Sequence, residues 1–228
     1  MRVFLSLFLL LPTASVFAAS LNMLMLNYDE VEQGAGLQNT RYLINQQFMR
    51  IDNGDDAADY ILFDVARQTI FSVNHEDRTI LKIEKNQWQL PKFDFKVSRS
   101  EEQLRDAPEI FNKPVFLHRA SADDKVCTQV FYIKDTFMDE MDVLYQYQQI
   151  LSGQQILSLK NTPQEFRTPC FLLDQVYHSG DYYHMGLPVQ ISYSRGYSKL
   201  LKDFARKDVD SHLFELPEDY REYRAFSD

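Results

Sequence analysis

The sequence predicts an α+β fold in which a long antiparallel sheet curls towards a barrel and helices pack against it. Three observations predict it. Short runs of β-branched and aromatic residues alternate with a period of two. Breaks of a few polar residues link them, which favours hairpins over crossovers. One long helical stripe follows Lys134, and an ordinary all-β sandwich would lack it.

The chain opens MRVFLSLFLLLPTASVFA. Arg2 precedes an apolar run from Val3 to Leu11; Pro12 and small residues follow, with Val16 and Ala18 suited to the −3 and −1 positions of a cleavage site. A bilayer-spanning helix needs about 20 apolar residues, and this run is too short. The expectation is a signal peptide over residues 1–18 and a single domain over 19–228, soluble in an exported compartment. No cysteine precedes Cys127, so the cleavage region has no thiol for lipidation. Charged residues recur through the rest, which argues against a membrane span.

The 228 residues carry a net charge of −9, and losing Arg2 makes the processed chain more acidic still. Such a balance repels nucleic acid and anionic lipid surfaces. No basic tract interleaved with aromatics appears, so nucleic acid is not an expected partner.

Strands are expected at Leu21–Tyr28 and at Arg41–Ile51, the latter long and apolar on both faces at its ends. Tyr60–Glu84 holds three strands of a meander, broken by DVARQ and NHEDR; Phe71 and Val73 alternate with Ser72, Leu81 and Ile83 with Lys82. Lys92–Ser98 alternates most cleanly, Phe93, Phe95 and Val97 one way and Lys92, Asp94 and Lys96 the other. Pro114–Arg119, Val126–Ile133 and Val189–Tyr193 complete the set. Long strands of this kind curl, and ten or so in one sheet roll towards a barrel.

A helix is expected in KDTFMDEMDVLYQYQQILSGQ. Phe137, Met141, Leu144, Gln148 and Leu151 share one stripe, Asp135 or Thr136 can cap it, and Gly153 is a natural end. A second fits TPCFLLDQVYHSG, capped by Thr168, with Pro169 in the first turn and Gly180 as the stop. Cys127 then lies in a strand and Cys170 near a helix start. Two cysteines in an exported chain favour a disulfide. A Cys127–Cys170 bridge, within one chain or between two, would pin helix to sheet; within one chain it would contribute about 4 kcal/mol.

Chemistry-bearing motifs are scarce. Asp139, Glu140 and Asp142, with Asp135, crowd a helix start, where the macrodipole favours acids; no glycine-centred calcium loop accompanies them. Of five histidines, none forms HExxH. His178, Asp181 and His184 in YHSGDYYHMG match no metal spacing and read as a helix-ending loop. No GxSxG elbow is present. The sequence assigns no catalytic residue, metal site or cofactor. What it does carry is 17 Phe and 13 Tyr. Phe71, Phe95, Phe131, Phe137 and Met141 are the candidate inward residues, either filling a core or lining an apolar pocket.

Three patches together resemble a known family. FMRID (48–52) with YILFD, IFSVN and TILKIE (60–84), VCTQVFYI (126–133), and GLPVQISY (186–193) with DSHLFELPEDY (210–220) resemble a bacterial exported family of unknown function, itself similar to the carriers of outer-membrane lipoproteins. The resemblance implies a strongly curved antiparallel sheet, an incomplete β-barrel, with helices plugging the open side. It implies a strand over Ser198–Asp208, where Leu200, Leu201, Phe204 and Ala205 alone read as an amphipathic helix. It supplies no catalytic residue. Arg50 is the tempting match for the carriers' ligand-contacting arginine, but at a strand end it reads as solvated. The expected function is then a non-catalytic periplasmic protein binding a hydrophobic ligand: a lipid, an acyl chain or a lipidated protein segment. An envelope protein-interaction or sensing module with a filled core, and a cryptic hydrolase, are the alternatives.

Overall fold

The computed structural model describes residues 19–90, 92 and 94–225. The expected signal peptide lies outside these residues, as does Phe93.

Two meanders build one sheet. The first is β1 (Ser20–Val31), β2 (Gln38–Ile44), β3 (Phe48–Asp52), β4 (Tyr60–Asp64), β5 (Thr69–Asn74) and β6 (Thr79–Glu84); the second is β7 (Val97–Gln103), β8 (Val115–Ala122), β9 (Lys125–Lys134), β10 (Gly186–Tyr193) and β11 (Ser198–Asp210). They join where β1 pairs antiparallel with β11 along its whole length, from Ser20 opposite Asp210 to Val31 opposite Ser198. A short last strand, β12 (Arg221–Arg224), lies parallel to β6. The order is β12-β6-β5-β4-β3-β2-β1-β11-β10-β9-β8-β7, twelve strands among the described residues.

The central position of β1 explains its MLML run. Met23 and Met25 bury on one face, with Leu43, Leu62, Phe71 and Phe214. Leu24, Leu26 and Tyr28 bury on the other, with Phe63, Val130, Met141 and Tyr147. A strand covered on both sides reads as a continuous apolar run. Helix α1 (Met138–Ser158) covers the second of these faces, and the C-terminal segment around Phe214 covers the first. No helix among the described residues is long and apolar enough to cross a membrane.

The strongly curved, incomplete β-barrel with helices plugging its open side is therefore corrected. The sheet is open, with β12 and β7 as edges at opposite ends of the strand order. Closure would need those edges to meet. Yet β7 is exposed throughout and carries Arg99, Glu101 and Glu102, while β12 is four exposed residues, REYR. Short, charged edges resist pairing. The helices lie on a face of the sheet and plug no opening.

Other expectations are corrected locally. Arg41–Ile51 is not one strand: Asn45 Oδ1 accepts from the N–H groups of Gln47 and Phe48, both at 2.8 Å, and turns the chain into a hairpin. The strand expected at Lys92–Ser98 starts only at Val97, because its partner β8 ends opposite it at Ala122. Helix α1 is led by Phe137 in a left-handed conformation, not by an Asp135 or Thr136 side-chain cap. It runs through Gly153, which is small for a different reason: a Cβ there would meet Trp88 Nε1 at 2.5 Å. Thr168 caps α2 (Pro169–Leu172) as expected, its side chain accepting from Phe171 N. The helix then widens into a π turn over Leu173–Tyr177 and ends at His178, short of Gly180. Ser198–Asp208 lies in strand β11, as the resemblance implied and the periodicity did not.

Candidate functional site

Cys127 and Cys170 are joined within the chain, fastening α2 to β9. One residue past Cys127 stands Thr128; four past Cys170, in the π turn, stands Asp174. The Thr128 hydroxyl donates to Asp174 Oδ1, a second tie running beside the covalent one. Asp174 is 7% exposed, and burial pushes its carboxyl up to about 6, against the pull of the Thr128 hydrogen bond and the Arg195 charge.

Asp174 and Thr128 line a pocket of about 340 Å³ between the sheet and the helical segments. Strand β8 supplies His118, β10 supplies Tyr193, edge strand β7 supplies Arg99, and α1 supplies Tyr145. The turn after α2 supplies His178, and the 3₁₀ turn over Asp181–Met185 supplies Asp181, Tyr182, His184 and Met185. π turns frequently mark functional sites, and this one precedes the loop that closes the pocket.

At the rim, His178 Nδ1 lies 2.6 Å from Asp181 Oδ2, and Arg99 donates to the same oxygen at 3.1 Å. Arg99 also sits 3.0 Å from His178 Nε2. Deeper, the Tyr182 and Tyr193 hydroxyls meet at 3.0 Å, and burial raises both phenols above their ordinary range. The His184 and Tyr145 rings lie 4.0 Å apart. Desolvation, helped by the Arg99 charge, holds His118 below the usual imidazole range. A neutral histidine, a carboxyl that titrates near 6 and three phenol rings thus share one small space. Among the described residues, no group of three or more His, Cys, Asp or Glu is arranged to hold a metal.

The sequence-expected lining residues lie elsewhere. Phe71 is buried under the C-terminal segment, while Phe137 and Met141 belong to the layer between α1 and the sheet. Phe95 packs beside the disulfide and Leu173. Phe131 is half-buried on β9, between Val130 and Tyr132, and so points to the face they do not. Only Phe137 and Met141 come together, and none of the five lines the 340 Å³ pocket. His178, Asp181 and His184, read as a helix-ending loop, do line it. The sequence assigns Asp174 no role; a lone acid inside the apolar run CFLLDQV is its signal. Arg50, read as solvated, is 2% exposed and ion-paired with Asp52 at 2.7 Å.

No family model matches the sequence, and neither does any curated protein. Among solved structures, PNGF-II in its C2 crystal form is similar at 13% identity and a TM-score of 0.43, over 90% of this chain and 31% of that one. The P21 form gives 11% and 0.42, over 90% and 32%. The chain thus spans about a third of the length of PNGF-II. The LolA-superfamily protein NE2245 from Nitrosomonas europaea is a distant likeness over nearly both full lengths, 87% and 91%, at 8% identity and a TM-score of 0.30.

Proposed function

We propose that the chain, exported and processed after Ala18 into one domain over residues 19–228, is a non-catalytic periplasmic protein that binds a small, largely hydrophobic ligand. The pocket beside the disulfide is where it binds. Its walls offer the Tyr145, Tyr182 and Tyr193 rings and the Met185 thioether to an apolar body; Asp174 offers a buried polar anchor. That pairing, aromatic walls around one buried carboxyl, carries the reading. Pockets for small molecules are mostly apolar with a few placed polar groups, and start at about 300 Å³. The Cys127–Cys170 bridge supports an oxidising compartment.

Gentle purification of the oxidised chain followed by native mass spectrometry tests this. A co-purifying amphiphile, lost on Tyr193→Ala, is the expected result. A chain that emerges empty and whose melting temperature ignores hydrophobic and amphipathic probes overturns it.

One observation favours a second reading, a hydrolase. Asp174, raised to about 6, and His118, lowered, titrate in a shared pocket, and acid–base pairs in enzymes are set by such divergent environments. Turnover of an ester or glycoside substrate that both Asp174→Asn and His118→Asn abolish would favour it.

A further inference from the structure

We infer that the polar end of the ligand is a cation, a primary or quaternary ammonium seated against Asp174 among the Tyr145, Tyr182 and Tyr193 rings. This rests on the pocket reading and adds the sign of the charge.

The charges on the pocket walls decide the sign: besides His184, stacked on Tyr145 at 4.0 Å, the walls carry Arg99, Asp181, His178, His118 and Asp174. Arg99 is the one arginine among the described residues that line the pocket, and it is engaged: Asp181 takes it at 3.1 Å and His178 shares it. Asp181 is thereby compensated as well. Asp174 differs. It is more than nine-tenths buried, and among the described residues its side-chain hydrogen-bond partner is a neutral hydroxyl. The cation that influences it, Arg195, is exposed, with its guanidinium 5.2 Å from the Tyr193 ring and 5.4 Å from the Tyr197 ring. A carboxylate desolvated without a paired cation is unfavourable, and that cost falls when a ligand brings the missing charge. Its neighbours suit the same guest. Phenol rings attract ammonium groups through their negative faces, and the Met185 thioether is polarisable and adaptable. An anionic ligand finds the opposite: the arginine already spent, His118 held neutral by desolvation, and a buried carboxylate to repel it.

Isothermal titration of the oxidised full chain with 2-phenylethylamine, 2-phenylethanol and phenylacetate tests the inference, since the three share a ring and differ in charge. At pH 7.5 the amine is expected to bind about tenfold or more tighter than the alcohol, as a charge-assisted contact gives. The advantage is expected to fade as pH drops through 6, and to vanish in Asp174→Asn, whose folding a thermal melt checks. Thr128→Val keeps the carboxylate but removes the hydroxyl that holds its pKa down. It is expected to move the midpoint of that pH dependence upward, which a merely structural role would not do. Equal affinity for amine and alcohol, or preference for phenylacetate, overturns the cation and leaves the pocket reading standing. If none of the three binds at millimolar concentration, both fall.

Discussion

Arg50 and Asp52, two residues apart on β3, form a buried ion pair in which Arg50 Nε donates to Asp52 Oδ2 at 2.7 Å. The remaining guanidinium donors go elsewhere: Nη1 to the Leu213 carbonyl at 2.8 Å and Nη2 to the Asp56 carbonyl at 3.0 Å. Its plane lies 3.8 Å from the Tyr60 ring centre, and the Tyr60 hydroxyl donates to the Glu215 carbonyl. One arginine thus fastens the C-terminal segment over the sheet face that buries Phe71. Burial alone would raise Asp52, but Arg41, Arg50 and the Gly54 N–H hold its carboxyl below the usual range.

Replacing Arg50 by alanine leaves the Leu213 and Asp56 carbonyls unpaired and half-strips a buried carboxylate. Breaking such a pair from one side costs about 3–5 kcal/mol. Urea unfolding is expected to show that loss. Arg50→Lys should recover only part of it, since an ammonium cannot reproduce the fork. A change below about 1 kcal/mol would mean that Arg41, which chelates Asp52 at 2.8 Å through both Nε and Nη2, suffices alone.

Lys199 gives stability an unusual alkaline trend. It is 5% exposed, with its ammonium 4.1 Å from the Tyr28 ring, 3.9 Å from the Tyr42 ring and 3.7 Å from Glu30. Desolvation lowers its pKa to about 8, even though Glu30 pulls the other way. Between pH 8 and the unfolded value near 10.4, the unfolded chain therefore holds more protons than the folded one. Stability rises with pH in that window. Denaturant midpoints are expected to increase from pH 7.5 to 9.5 in the native chain and to stay flat in Lys199→Met. Above about 10 the buried tyrosines, whose pKa values are raised, reverse the trend, so the measurement belongs below it.

The meander at Tyr60–Glu84 and the helix after Lys134 were legible because each repeats a local period, and the disulfide because only two cysteines exist. The sheet's openness was not legible. Whether β7 and β12 meet depends on twist summed over twelve strands, and no residue encodes that sum. Lys199 and Arg50 escaped for a related reason. A charged residue in a strand looks solvated until the groups that bury it are known. For Lys199 these are the Tyr28 and Tyr42 rings of distant strands; for Arg50 they are the Leu213 carbonyl far ahead of it and the nearer Tyr60 ring and Asp56 carbonyl. The pocket was partly legible: YHSGDYYHMG holds five of its lining residues, His178, Asp181, Tyr182, His184 and Met185, but Tyr145 and Tyr193 come to it from α1 and β10. Asp174 owes its place to a π turn, and periodicity at 3.6 cannot anticipate one.

Gly153 offers an optical test of packing. Alanine inside a helix normally gains about 1 kcal/mol over glycine, but here its Cβ would meet the Trp88 ring at 2.5–2.7 Å. Trp88 is the only tryptophan in the chain. In Gly153→Ala its emission is expected to shift to longer wavelength as the indole is pushed into water, and the usual helix gain should be absent. An unshifted spectrum with a stabilised helix would show that the indole does not rest on Gly153.

The disulfide is expected to matter more to the pocket than to the sheet. Replacing both Cys127 and Cys170 by alanine should lower stability by about 4 kcal/mol on the chain-entropy account. It should also loosen α2 from β9, and with it the Thr128–Asp174 contact. Hydrogen exchange is expected to rise in residues 168–185 well before it rises in β1 and β11. Uniform loss of protection would instead make the bridge a support of the whole sheet.

Asp174 should be a liability for folding and an asset for binding. Its folded pKa, about 6, lies above the unfolded value near 3.9. A carboxyl raised in this way contributes stability below the unfolded pKa and loses it as pH rises through the folded one. From pH 4 to pH 7 that contribution falls by about 2 kcal/mol. Asp174→Asn keeps an acceptor for the Thr128 hydroxyl and removes the charge. At pH 7 the variant is expected to melt higher than the native chain, while at pH 4 the two converge. The same variant should lose the ligand, so stability and binding move in opposite directions from one substitution. If the variant is instead less stable at pH 7, a cation within the protein already compensates Asp174, and the pocket has no charge left to offer.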